Sequence, residues 1–261
     1  MSTPRPIALV TGASTGIGAV YADRLARRGY DLVLVARDEA RLAALAARLG
    51  PEAGAAVEVL RADLTDPGDI ARVEARLRED ARIGLLVNNA GAALPGGFGA
   101  ADPDAFDRLI RLNVTAATRL VGAVLPRFTA AGAGAIVNVA SVVALAPEIP
   151  LGIYGATKAY MLALSQSLQA EVGPKGVYVQ AVLPGATRTE IWEHAGHPVE
   201  TLAAVMEVDD LVDAALVGFD RREAVTIPPL PDEAQWTAFN GARLAMLPNF
   251  AQSRSAARYR D

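Results

Sequence analysis

The chain has 261 residues, 52% of them hydrophobic, and a mean hydropathy of +0.24; with no Pro/Ser/Gly linker and no charge block to divide it, one α/β domain is expected. A net charge of −4 and a pI of about 5.3 argue against nucleic-acid binding as the main role. The absence of cysteine excludes disulfides, thiolate chemistry and cysteine zinc sites, and no charge-free apolar run is long enough to span a bilayer.

Residues 1–6 lead directly into a strand-like segment rather than a signal peptide, so the cytoplasm is the expected compartment. The first strand is read at 7–10 and its helix at 17–28. A second strand at 31–36 precedes a helix at 38–49, and a third at 57–60 precedes a helix at 66–80. Strand four covers 85–88, and a long helix fills most of 103–130. Strand five at 136–140, a helix at 154–172 and strand six at 178–183 follow. The last family of elements is a helix at 208–220, a short strand at 224–227 and a helix near 232–247. The strands are almost continuously apolar, as they are when helices cover both faces of a parallel sheet. Strict β/α alternation implies right-handed crossovers and a doubly wound, Rossmann-type α/β fold of about seven strands. Ligands of such sheets bind at the carboxyl ends of the strands, where strand order reverses. Residues 11–18, Arg37, Asp63, residues 88–91, Ser141 and residues 184–189 all follow strand ends, so they are expected to share one sheet edge.

The first strand ends in Thr11-Gly12-Ala13-Ser14-Thr15-Gly16-Ile17-Gly18. Glycines let backbone turn sharply beside a pyrophosphate, and the following helix offers free N–H groups at its positive end. Gly12, Ser14, Thr15, Gly16, Ile17 and Gly18 are therefore candidate cofactor residues, because the turn lies between a first strand and a first helix. Strand two reports on the ribose: an acidic residue at its end suits NAD, and an arginine suits a 2′-phosphate. Here the end reads Ala36-Arg37-Asp38, so NADP(H) is favoured over NAD(H), with Asp38 read as a helix N-cap. Asp63 either meets an adenine amino group or begins the next helix, and Leu64 offers backbone groups beside it. Asn88-Asn89-Ala90-Gly91 suits a turn that bonds its own backbone, an adenosine pocket, or both.

Tyr154 and Lys158 stand four residues apart in a chain with only two lysines and 23 arginines. Six tyrosines and two lysines give about 0.05 such pairs by chance, so the pair is treated as a motif. Residues i and i+4 share a helix face, and a cation there lowers a tyrosine pKa from about 10 toward neutral. The alternative is a surface tyrosine beside a surface lysine.

Taken together, Thr11-Gly12-x-x-x-Gly16-x-Gly18, Asp63, Asn88-Asn89-Ala90-Gly91, Asn113, Ser141, Tyr154-x-x-x-Lys158 and Pro184-Gly185 resemble the short-chain dehydrogenase/reductase family in its single-domain form. The resemblance spans about residues 6–227 and implies roles. Tyr154 would be the acid/base, and Lys158 would lower its pKa and hold the nicotinamide ribose. Ser141 would hydrogen-bond the substrate oxygen, and Asn113 would hold a water linking Lys158 to solvent. Pro184, Gly185, Thr187 and Thr189 would face the nicotinamide, and Asn89, Ala90 and Gly91 would be cofactor contacts elsewhere. Thr15 stands where some NADP-using members carry a base, so the phosphate preference rests on Arg37. A homodimer or homotetramer is also implied.

The segment 142–153 is almost wholly apolar. With Ile191 and Trp192 of a lid at 186–207, hinged at Gly185 and Gly196, Val143 and Leu145 are expected to form a greasy substrate pocket. Core packing or a subunit contact is the plain alternative. His194 and His197 have no further Cys or His to complete a metal site, so no metal is expected. Residues 228–261 read as a C-terminal extension whose Trp236, Phe239 and Leu244 cover the site or dock a neighbour, while Arg254, Arg258 and Arg260 form a solvated tail or a subunit contact. The expected function is NADP(H)-dependent interconversion of a carbonyl and an alcohol on an apolar small molecule. The alternatives are an NAD-dependent alcohol dehydrogenase, a nucleotide-sugar epimerase or dehydratase, and a dinucleotide-sensing regulator without catalysis.

Overall fold

The apolar segments become seven strands: β1 Ile7–Thr11, β2 Asp31–Ala36, β3 Val57–Arg61, β4 Ile83–Asn88, β5 Ala135–Val139, β6 Tyr178–Val182 and β7 Val225–Thr226. The helices are α1 Gly16–Arg27, α2 Glu39–Ala53, α3 Pro67–Glu79, α4 Pro103–Ile110, α5 Ala117–Ala131, α6 Ile153–Val172, α7 Ile191–His194, α8 Val208–Asp220 and α9 Glu233–Ala245. The computed structural model describes residues 4–94, 98–99, 102–194, 199–202 and 204–260. Gly196 and His197 lie outside the described residues, as do parts of the expected lid.

All strand pairs are parallel, in the order β3-β2-β1-β4-β5-β6-β7. The order reverses between β1 and β4, which leaves a crevice at their carboxyl ends. Side chains alternate across the sheet, so each strand feeds two cores. Ala8 and Val10 pack with Leu25, Leu42 and Val212 of α1, α2 and α8. Ile7 and Leu9 pack with Val73, Val124 and Leu168 of α3, α5 and α6. This is the expected doubly wound α/β fold.

Two boundaries differ from expectation. Helix α2 continues past Leu49 through Pro51, whose fixed φ a helix already satisfies, and stops at Gly54 with φ +60°. The long helix is interrupted by a π-helical segment at Arg111–Ala116 that joins α4 to α5. The whole stretch Pro103–Ala131 has the length and hydropathy of a membrane span. Its Leu120, Val121, Val124 and Phe128, however, are buried against the sheet, as in the core helix of a globular protein.

The chain divides into two compact units, Met1–Pro228 and Pro229–Asp261. In the second, Asp232 caps α9, Trp236 stacks on Phe239 at 5.8 Å, and Phe239, Leu244 and Phe250 are exposed.

Candidate active site

The switch point is held by one hydroxyl and one amide. Thr11 Oγ1 donates to Val87 O at 3.2 Å and accepts from the N–H groups of Asn89 and Ala90, both at 3.0 Å. Asn89 Nδ2 donates back to Thr11 O at 2.9 Å and Gly12 O at 3.2 Å. The glycine turn is thus clamped to the end of β4. Gly12 has φ +66°, and a Cβ on it would stand 2.8 Å from Asn89 Nδ2 and 2.9 Å from Ala90 Cα. Gly18 faces away from the cavity: a side chain there would strike the Gly12 carbonyl, so its role is to let α1 pack on the turn.

A cavity of about 940 Å³ runs along this sheet edge. At one end it is lined by Gly12, Ser14, Thr15, Gly16, Ile17, Arg37, Asp63 and Leu64. Helices α2, α3, α4 and α9 are each capped by an aspartate side chain. Thr15 makes no such bond at α1, whose first turn also carries no acidic residue. Its positive end is therefore left for an anion, which is what a pyrophosphate needs. Asp38 accepts from Arg41 N at 3.0 Å, the expected N-cap. Arg37 is exposed and bonds to no other group among the described residues. Asp63 serves its own turn, accepting from Thr65 N at 2.9 Å and Thr65 Oγ1 at 2.7 Å, while also lining the cavity. Cradle, uncapped helix and unpaired guanidinium together fit a dinucleotide.

Further along, α6 brings Tyr154 and Lys158 to the same wall, with Asn89, Ala90, Gly91, Pro184, Gly185, Thr187 and Thr189. Lys158 is 5% exposed; its Nζ donates to Val139 O at 2.9 Å and lies 5.6 Å from the centre of the Tyr154 ring. A side chain on Gly91 would press on both Asn113 Oδ1 and Lys158 Nζ, at 3.3 and 3.4 Å. Ser141 Oγ donates to Pro184 O at 3.3 Å, and its hydroxyl lies near enough to the Tyr154 phenol to affect its titration.

Asn113 is buried in the π-helical segment rather than open to the cavity. It grips the chain beside Gly91, accepting from Ala92 N and donating to Ala92 O, both at 2.9 Å. Its Nδ2 also donates to Thr157 Oγ1 at 3.0 Å, and that hydroxyl donates to Tyr154 O at 2.8 Å. Thr157 was not singled out in the sequence; its place three residues after Tyr154, on the same helix face, is the signal that marks it.

The electrostatics reverse one expectation. Burial pushes the Tyr154 phenol up to about 12, opposed by the nearby Ser141 hydroxyl. Burial brings Lys158 down to about 8. In the protein alone, desolvation therefore outweighs the lowering expected from the lysine.

Val142, Val143, Leu151, Ile191 and Trp192 line the far, apolar end of the cavity. Trp192 Nε1 donates to Thr187 O at 2.8 Å, which fixes the indole on its loop. Leu145 does not line the cavity. It packs beside Ala140, Met161 and Leu162, because the 3₁₀ turn Val142–Ala144 rotates it toward the core. Among the described residues no cluster of His, Asp or Glu could hold a metal.

The chain is similar to known proteins over its whole length. A short-chain dehydrogenase from Sphingobium yanoikuyae, solved with NADPH, is 64% identical, covers 98% of this chain and 100% of its own, and superposes with a TM-score of 0.96. An alcohol dehydrogenase from Comamonas testosteroni, described as specific for bulky-bulky ketones, is 52% identical over 99% of this chain and 100% of its own, with a TM-score of 0.92. Human 17-beta-hydroxysteroid dehydrogenase type 3 is 32% identical over 81% of this chain and 68% of its own. The short chain dehydrogenase family model matches residues 6–199. With the glycine cradle, the uncapped helix and the Ser141–Tyr154–Lys158 wall in one cavity, the chain belongs to the short-chain dehydrogenase family and is an NAD(P)-dependent oxidoreductase.

Proposed function

We propose that the protein reduces ketones carrying two bulky apolar groups, using NADPH, with Tyr154 as the proton donor. The observation that carries this reading is the single cavity: the Ser141–Tyr154 pair stands between an arginine-marked nucleotide end and an apolar end. The likeness over full length to the NADPH-bound and bulky-ketone enzymes supports it. The bound nicotinamide supplies the hydride for the carbonyl carbon.

The chain's residues handle the oxygen and its proton. Ser141 and Tyr154 offer two hydroxyls to the carbonyl oxygen as negative charge grows on it. Tyr154, with a pKa near 12, holds its proton at neutral pH and gives it to that oxygen as the C=O becomes C–OH. Lys158 then places an ammonium beside the phenolate that remains. Thr157 and Asn113 hold the Tyr154 backbone to the strand-four turn, which keeps the phenol in place. Val142, Val143, Leu151, Ile191 and Trp192 exclude water and favour apolar flanks, at about 25 cal/mol per Å² covered.

The test is a panel of diaryl, aryl-alkyl and small polar ketones, followed by NADPH consumption. Turnover of the bulky apolar members, lost in Tyr154→Phe with NADPH binding retained, supports the reading. Preference for polyols or sugars, or an active Tyr154→Phe, overturns it.

A further inference from the structure

Two arginines line the cavity, and they are used differently. Arg37 is unpaired among the described residues. Arg41, four residues on and in the first turn of α2, is held across the cavity mouth. Its guanidinium NH1 donates to both carboxylate oxygens of Glu190, at 2.9 and 3.0 Å, while its Nε lies 3.4 Å from Asp38 Oδ2. Glu190 lies between Thr189, which lines the cavity, and Ile191 and Trp192 of the apolar end. One ion pair between residues 149 positions apart therefore ties the nucleotide end to the substrate loop.

We propose that Arg41 is a second determinant of cofactor choice, and that Glu190 is an internal anion which the cofactor's 2′-phosphate displaces from it. The inference rests on the NADP reading above. Both side chains are about half exposed, 50% and 45%, so their pairing contributes little and is readily exchanged. A phosphomonoester carries more charge than a carboxylate and accepts the same planar fork of donors. Arg41 and Arg37 flank the end of β2, the place where a ribose 2′ substituent is read in sheets of this type. Displacement frees Glu190 and the loop that carries Ile191 and Trp192. A cofactor without the phosphate leaves the pair closed. Phosphate recognition and substrate-loop position are thereby coupled through one side chain.

The experiment measures dissociation constants of NADPH and NADH by fluorescence titration for the wild type and for Arg37→Gln, Arg41→Gln and Glu190→Gln. Arg41→Gln is expected to weaken NADPH about tenfold and leave NADH unchanged. Glu190→Gln is expected to tighten NADPH about threefold, again without effect on NADH. Equal shifts for both cofactors in Arg41→Gln, or no tightening in Glu190→Gln, overturn the proposal. The glutamate variant keeps the test valid should Arg41→Gln misfold. A wild type that binds both cofactors equally defeats the NADP reading itself. A preference lost in Arg37→Gln and intact in Arg41→Gln keeps that reading and defeats this inference alone.

Discussion

Lys158→Met separates what the site costs from what it does. The lysine is 5% exposed, and burial lowers its pKa from an ordinary 10.5 to about 8. At 1.36 kcal/mol per pKa unit, keeping it charged opposes folding by about 3 kcal/mol. The sign follows from proton binding. Below pH 8 both folded and unfolded chains hold the proton, and the full penalty is present. Between pH 8 and 10.5 the unfolded chain holds one proton more, so stability rises by about 1.4 kcal/mol per pH unit. Methionine removes the charge but leaves Val139 O without its donor, a loss of about 1–3 kcal/mol. The two terms nearly cancel at pH 7, so the variant should be about as stable as the wild type while turnover falls by about 10²–10⁴. From pH 8 to 10 the wild type should gain stability relative to the variant, by more than 2 kcal/mol on the ~1.4 kcal/mol per unit slope. Paired guanidinium unfolding curves at pH 7, 8, 9 and 10 measure this. Parallel stability profiles for the two proteins would show that the lysine is not desolvated, and the reasoning would fail.

Tyr154 should show no phenolate in the cofactor-free protein below pH 10, because burial holds its pKa near 12; a wild-type-minus-Tyr154→Phe absorbance difference near 295 nm at pH 8 would contradict this. Gly12→Ala puts a Cβ 2.9 Å from Ala90 Cα at φ +66°. It should cost about 1–2 kcal/mol of stability and at least tenfold in dinucleotide affinity, and a wild-type dissociation constant would remove the case for the cradle. Glu74 is buried, and the Arg119 hydrogen bond, helped by Arg78, holds its carboxyl below the ordinary 4.5. Glu74→Gln should therefore cost about 1–3 kcal/mol at pH 7, with the gap to wild type closing as pH falls through the native carboxylate's range; an equal gap in melting temperature at pH 7 and pH 3 would argue against it.

Most of the site was legible before folding. Gly12, Arg37, Asp63 and Ser141 were expected on one sheet edge because each follows a strand, and the cavity gathers them there together with Tyr154. Asp38 read correctly as a cap, since capping is decided within three residues. Leu145 did not, because a short 3₁₀ turn decides which way it points. The bonds of Asn113 to Ala92 were not legible either, because the two residues lie 21 positions apart.

The order of apolar runs and breaks determined the seven-stranded parallel architecture and the location of the chemistry. Hydrophobic periodicity and crossover handedness act locally along the chain, so they can be read from it. The sign of the Tyr154 shift, the clamp of Thr11 and Asn89 on the glycine turn, and the Arg41–Glu190 tie were decided only by the tertiary structure. Desolvation sums over every element packed around a group, and an ion pair needs two side chains at contact distance. Neither quantity exists until distant segments share the same space.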